Sequence, residues 1–162
     1  MDIEIILKQL MELNVQYQII KHPPVYTIED VTQISNLDFD KIIKNLFVRD
    51  DKKENYYLLL IKNNKRINLN KLRKEINSRR LTFANAEELD HYLGLKAGAV
   101  SPLGILNDQE RKVKVLIDQD LKTMDLVGIH PNINTATLLL PLPDLIRVIE
   151  NHGNLVKFVA IS

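Results

Sequence analysis

Apolar residues first recur at helical spacing, with Ile3, Ile6, Leu7, Leu10 and Met11 on one face of a helix over roughly 2–13. They then alternate at Val15, Tyr17 and Ile19, as in a strand. His22-Pro23-Pro24 breaks the alternation, because two successive prolines remove ladder donors and fix φ. Thr27 with Asp30 resembles a helix N-cap, so a stiff loop should lead into a short helix near 28–35. Two β-branched and aromatic runs, 42–49 and 55–62, flank the polar Asp50-Asp51-Lys52-Lys53-Glu54 and predict a hairpin. Leu69, Leu72 and Ile76 share a helical face; so do Ala86, Leu89, Tyr92 and Leu93, after a cap at Asn85 and before a stop at Gly94. Gly98, Pro102 and Gly104 interrupt all periodicity between 96 and 107, which predicts a loop. Strands follow near 113–118, 125–130 and 135–140, then a helix near 143–151 with Leu145, Ile146, Val148 and Ile149 inward, and a last strand near 155–161. About seven strands and five helices result, mixed along the chain without a linker, repeat or internal boundary. The expectation is one α+β domain over residues 1–162.

Composition narrows the class. With 162 residues, 45% of them hydrophobic, the chain can bury one sizeable core, and its low Gly and Pro counts exclude collagen-like and low-complexity architectures. No cysteine is present, so disulfides, thiolate nucleophiles and cysteine metal sites are excluded. The start Met1-Asp2-Ile3-Glu4 lacks the basic-then-apolar layout of a secretory signal, which points to the cytoplasm. The longest apolar run, Tyr56 to Ile61, is far short of the roughly 20 residues that cross a bilayer, so no membrane role is expected.

The net charge of +1 conceals a polarised chain. Residues 41–80 hold 13 Lys or Arg against four acidic residues, whereas the remaining 122 hold nine basic and 17 acidic ones. Such a stretch either meets a phosphate backbone or forms a solvated Lys-rich face, and charge alone leaves both open.

Self-identifying catalytic motifs are missing. There is no Gly-x-x-x-x-Gly-Lys, Gly-x-Gly-x-x-Gly or His-Glu-x-x-His, which removes sequence support for nucleotide hydrolysis, dinucleotide chemistry and zinc proteolysis. Among four serines none lies in Gly-x-Ser-x-Gly, and Ser101 precedes Pro102, so a serine triad is not indicated. The four histidines are isolated, and neither a metal nor another cofactor is expected.

Three segments place polar groups in apolar or rigid surroundings. In Ile42-Ile43-Lys44-Asn45-Leu46-Phe47-Val48, strand alternation puts Lys44 with Ile42, Leu46 and Val48, and Asn45 with Ile43 and Phe47. Lys44 is then either a buried cation kept for an oxygen-rich ligand or an edge lysine reaching water. Gly98-Ala99-Val100-Ser101-Pro102-Leu103-Gly104 is either a tight connection or a loop whose N–H groups face one oxyanion. His130, at the end of an apolar strand and before Pro131, either contacts a ligand or satisfies local backbone.

Taken together, His22-Pro23-Pro24-Val25-Tyr26-Thr27, Lys44-Asn45-Leu46-Phe47-Val48-Arg49-Asp50, Gly98-Ala99-Val100-Ser101-Pro102-Leu103-Gly104 and His130-Pro131-Asn132-x-Asn134-Thr135 resemble the YbaK/prolyl-tRNA-synthetase-associated domain superfamily. Within it, the chain is most similar to the free-standing alanyl-tRNA(Pro) deacylases, and the likeness runs in order along essentially its whole length. Val100-Ser101-Pro102 departs conservatively from that group's Val-Thr-Pro, and Val48-Arg49 from its Leu-Lys-like pair.

The resemblance implies a mixed, mostly antiparallel sheet with surrounding helices, and a trans-editing hydrolase that frees tRNA(Pro) of wrongly attached alanine. A deacylase of other specificity, such as for cysteinyl-tRNA(Pro), and a non-catalytic tRNA-binding module remain open. By the same resemblance, Lys44 engages the terminal adenosine or the ester, Asn45 supports its placement, the backbone from Gly98 through Ala99, Val100 and Ser101 to Pro102 holds substrate, and His130 borders the aminoacyl pocket. Val25, Ile28 and Val31, with Phe47, are expected to wall that pocket, and Lys62, Lys65, Arg66, Lys71, Arg73 and Lys74 to meet acceptor-stem phosphates. The implied partners are the acceptor end of mischarged tRNA(Pro) and a prolyl-tRNA synthetase. No side-chain general base is recognisable, and the implied assistance comes from the ribose 2′-hydroxyl.

Overall fold

The computed structural model describes residues 2–25, 27, 29, 30, 33 and 37–161. Helix α1 (Ile3–Glu12) begins where Asp2 accepts a hydrogen bond from the Glu4 N–H, and it buries Ile6 and Leu10 from its apolar face. Strand β1 is Gln18–Lys21; Val15 and Tyr17 precede it, the Val15 N–H closing back onto Leu10 at the helix end. The hairpin forms as expected, with β2 (Ile43–Asp50) antiparallel to β3 (Tyr56–Lys62). Then come α2 (Leu69–Glu75), β4 (Leu81–Phe83) and α3 (Ala86–Leu93). The last of these is fixed by a reciprocal capping box between Asn85 and Glu88 and stops at Gly94, whose φ of +62° suits glycine. Strands β5 (Val113–Asp118), β6 (Leu126–Ile129) and β7 (Ala136–Pro141) lead to α4 (Leu142–His152) and β8 (Val156–Val159).

These eight strands form two sheets where the sequence pattern indicates about seven strands in one. A five-stranded sheet runs β4-β2-β3-β5-β8, antiparallel through β4, β2 and β3 and parallel through β3, β5 and β8; a three-stranded antiparallel sheet runs β1-β7-β6. One bridge, Ile42 to Gly128, joins them. Strand β4 has only three residues, too few to display alternation.

Strand β3 explains the long apolar run, because both its faces are covered. Tyr56, Leu58 and Leu60 enter the main core with α1, α3 and α4, while Tyr57, Leu59 and Ile61 pack with Leu72 of α2, Leu81, Leu116 and Val159. The stretch expected to be a loop contains a 3-10 helix, Pro102–Asn107, buried from Pro102 to Leu106 and capped by the Ser101 hydroxyl. Most of the short helix expected near 28–35, with Ile28 and Val31, lies outside the described residues. Thr27 and Asp30 nevertheless exchange side-chain hydrogen bonds in the expected cap pattern. No helix of the described residues is long and apolar enough to cross a membrane.

Candidate functional site

Strand β2 organises the site. Its outer edge pairs with β4 only from Val48 to Asp50, and the Ile42–Gly128 bridge to β6 falls just before its first residue, so among the described residues no strand pairs with Ile43 to Leu46 on that side. Lys44 and Asn45 sit in this gap, pointing to opposite faces as the alternation requires. The Lys44 ammonium donates to the main-chain carbonyl of Lys65 at 2.9 Å. Among the described residues it makes no ion pair, so its charge stays uncompensated and two of its three donors stay unused.

Asn45 faces the other way, into a hollow of about 20 Å³ lined by Ile42, Ile43, Asn45, Gly128, Ile129, His130 and Thr137. That volume takes about one water-sized group. The Asn45 Oδ1 is buried there without a hydrogen-bond partner among the described residues, an acceptor awaiting a donor. His130 directs Nδ1 at the Ala136 carbonyl, 3.2 Å away. A carbonyl only accepts, so in the neutral ring Nδ1 carries the proton and Nε2 keeps a lone pair. Burial lowers the His130 pKa below the ordinary value of 6.5; the Ala136 carbonyl opposes this and nearby His22 reinforces it. Behind the hollow, His22 Nδ1 donates to the Pro23 carbonyl and Nε2 accepts from the Thr137 hydroxyl, each at 2.9 Å.

The Gly98–Gly104 loop abuts this hollow through His130. Ser101 is fully buried; its hydroxyl donates to the His130 carbonyl and accepts from the Leu103 N–H. Asn132, held at φ +62°, donates from Nδ2 to the Leu103 carbonyl at 3.3 Å. Two bonds thus stitch the loop to the histidine turn. Within the loop the Ala99 N–H is satisfied by the Lys96 carbonyl, whereas those of Gly98, Val100 and Ser101 find no acceptor among the described residues. Gly98 adopts φ +88°, the left-handed conformation that lets the chain reverse here.

The structure therefore gathers Asn45, His130 and, one contact removed, Ser101, but leaves Lys44 across the strand. Val25 is buried against Ile42, behind the hollow rather than in it, and is tied to Asn134 by two hydrogen bonds. Phe47 stacks on Tyr56 at 5.6 Å and meets Tyr92 edge-on, in an aromatic group away from the hollow. Arg66, Lys71 and Lys74 are exposed, and Lys62 and Arg73 are half-buried. Lys65 differs: its ammonium is paired with Asp118 and with Asp120. Burial opposes its charge, but the two carboxylates outweigh that and raise its pKa. Thr137, Ile42, Ile43 and Gly128 have no role in the sequence reading. A hydroxyl inside the apolar run Ala136–Leu140 was the available signal for Thr137.

The sequence profile of the aminoacyl-tRNA editing domain matches residues 22–148. The chain is 40% identical to the prolyl-tRNA editing protein ProX of Acetoanaerobium sticklandii, over 96% of this chain and 95% of that protein. It is 31% identical to the prolyl-tRNA synthetase associated domain-containing protein 1 of Danio rerio, over 87% of this chain and 77% of that one. A proline–tRNA ligase of Caldicellulosiruptor saccharolyticus shares 27% identity over 66% of this chain but only 17% of its own length. Among solved structures, one described as a candidate trans-editing enzyme for prolyl-tRNA synthetase superposes with a TM-score of 0.73 at 20% identity, over 98% of this chain and 96% of that one.

Proposed function

The chain belongs to the aminoacyl-tRNA editing domain family, an aminoacyl-tRNA deacylase by that membership, and on this premise we propose that it hydrolyses alanine wrongly esterified to tRNA(Pro). Water adds to the ester carbonyl, the tetrahedral oxyanion collapses, and the bond to the ribose oxygen breaks to release alanine and intact tRNA. The observation that carries this reading is the hollow beside Asn45 and His130, whose 20 Å³ suits a methyl-sized group and not a proline ring. A synthetase pocket made for proline discriminates against the smaller alanine by only about 1–3 kcal/mol, so a second, smaller sieve is needed.

The residues divide the work. Lys44 holds the terminal adenosine or the ester with its two unused donors, on one side of the open β2 edge. Asn45 Oδ1 receives a proton donor of the substrate or the attacking water on the other side. The unengaged N–H groups of Gly98, Val100 and Ser101 stabilise the oxyanion, and His130 orients water through Nε2 while the ribose 2′-hydroxyl assists the attack. Lys62, Arg66, Lys71, Arg73 and Lys74 meet acceptor-stem phosphates. Prolyl-tRNA synthetase, a relative of which shares this domain, is the proposed partner, and the cytoplasm the proposed place of action.

Incubation with alanyl-, cysteinyl- and prolyl-tRNA(Pro) tests this directly. Loss of the alanyl ester alone, abolished by Lys44→Ala in a folded protein, is the expected result. Preferential loss of the cysteinyl ester would reassign the substrate, and binding without hydrolysis above buffer would refute catalysis.

A further inference from the structure

Lys65 lies at the centre of a chain of contacts that ends on Lys44. The Lys65 ammonium is held by Asp118, the last residue of β5, and by Asp120 Oδ2 at 3.0 Å in the turn that follows. Asp118 is 1% exposed, and its other oxygen accepts from the Asp120 and Ile161 N–H groups, so it is a fixed anchor. The Lys65 N–H closes a turn onto Lys62 at 3.1 Å, and Asn63 adds a bond to the Phe39 carbonyl at 2.6 Å. The Lys65 carbonyl then receives the Lys44 ammonium.

We propose that Asp118, Asp120 and Lys65 form a clamp that positions Lys44 for the 3′ end of the substrate, Lys65 acting through its carbonyl and not as a phosphate contact. The clamp does two things at once. It presents Lys44 with a neutral acceptor, which orients the ammonium without neutralising it. It also occupies both carboxylates with Lys65, so that neither pairs with Lys44 and removes its charge from the substrate. Lys65, Asp118 and Asp120 are thereby positioning residues.

The proposal rests on the reading that Lys44 grips the aminoacylated end, and the test separates the two. If Lys44→Ala remains fully active, that reading fails and the clamp has nothing to position. With Lys44→Ala inactive, Lys65→Met and Asp118→Asn are each expected to lower kcat by about 10- to 100-fold, the range that misplacement of a catalytic contact produces. The salt slope of tRNA binding stays at the wild-type value, and Lys65→Arg, which keeps both ion pairs, restores turnover. Because Lys65→Met leaves Asp118 buried and unpaired, the double variant Lys65→Met/Asp118→Asn removes both charges and keeps the test valid if the single variant is poorly folded. Its loss should not exceed that of either single change, because one chain of contacts has been cut twice. A direct phosphate contact gives opposite signs: Lys65→Met flattens the salt slope by about one, and Asp118→Asn, by leaving Lys65 held by Asp120 alone, tightens tRNA binding. Either result, or wild-type kcat in the double variant, overturns the clamp.

Discussion

The Ser101 hydroxyl donates to the main-chain carbonyl of His130, joining two segments 29 residues apart in the chain. The bond fixes what Ser101 is for. Its oxygen is fully buried and committed to His130 and to the Leu103 N–H, so it is a fastener and not a nucleophile.

Ser101→Ala removes that fastener and leaves a buried carbonyl and an N–H without partners. A loss of about 1–3 kcal/mol is expected for such groups, read as a lower urea midpoint with unchanged m. Deacylation should fall as well, because the loop amides lose their register with His130. Wild-type stability would show that the bond contributes nothing.

His130 gives a pH dependence whose sign follows from its burial. Its folded pKa lies below the ordinary 6.5, so below that pH the unfolded chain takes up a proton that the native ring resists. Stability from this group is complete above about pH 6.5 and is lost as the pH falls toward the depressed folded value. Urea unfolding of wild type and His130→Gln between pH 5 and 8 isolates it: the stability difference should shift against wild type only on the acid side. His22 belongs in the control, since it adds to the shift and shares Thr137 with the hollow.

Gly128 is needed for close approach. A Cβ there would lie 2.5 Å from Ile42 Cδ1 and 3.2 Å from Leu139 Cδ2, so Ile42 must move, and Ile42 lines the hollow. Gly128→Ala should cost about 1–3 kcal/mol as overpacking and reduce deacylation of alanyl-tRNA more than binding of uncharged tRNA. Trimming the obstacle with Ile42→Val in the same chain should recover part of both.

Legibility of the fold tracked local pattern. The helix ends at Asn85 and Gly94 and the β2–β3 hairpin were readable because capping and alternation are local. Strand β4 and the division into two sheets were not, since three residues carry no period and the division depends on a single bridge at Gly128. Alternation likewise placed Lys44 and Asn45 on opposite faces, yet nothing local announced that the Lys65 carbonyl would receive one and Thr137 adjoin the other. Charge counting grouped Lys65 with its basic neighbours; its two carboxylates come from more than 50 positions further along the chain.

The remaining basic residues make a graded expectation. Arg66, Lys71 and Lys74 are exposed and make no ion pair among the described residues. Replacing any one by Gln should weaken tRNA binding and lower the slope of log K against log salt by about one if it meets a phosphate. Turnover at saturating substrate should hold, because these side chains act on binding alone. A slope unchanged by all three replacements would move the RNA path to another face.

Substrate size is the sharpest consequence of the hollow. Ile42 contributes wall without contributing a polar group, so Ile42→Ala enlarges the space while His130 and the Gly98 loop keep their hydrogen bonds. The cavity so made costs stability, about 2–5 kcal/mol for an isoleucine cut to alanine, and the assay belongs at low temperature with folding checked by near-UV dichroism. There the variant should begin to hydrolyse prolyl-tRNA(Pro), since the carbons removed from Ile42 leave room for the ring methylenes by which proline exceeds alanine. Alanyl-tRNA should be turned over more slowly, its methyl no longer gripped. If the folded variant rejects the prolyl ester as completely as wild type, the sieve lies elsewhere than in the space between Ile42 and His130.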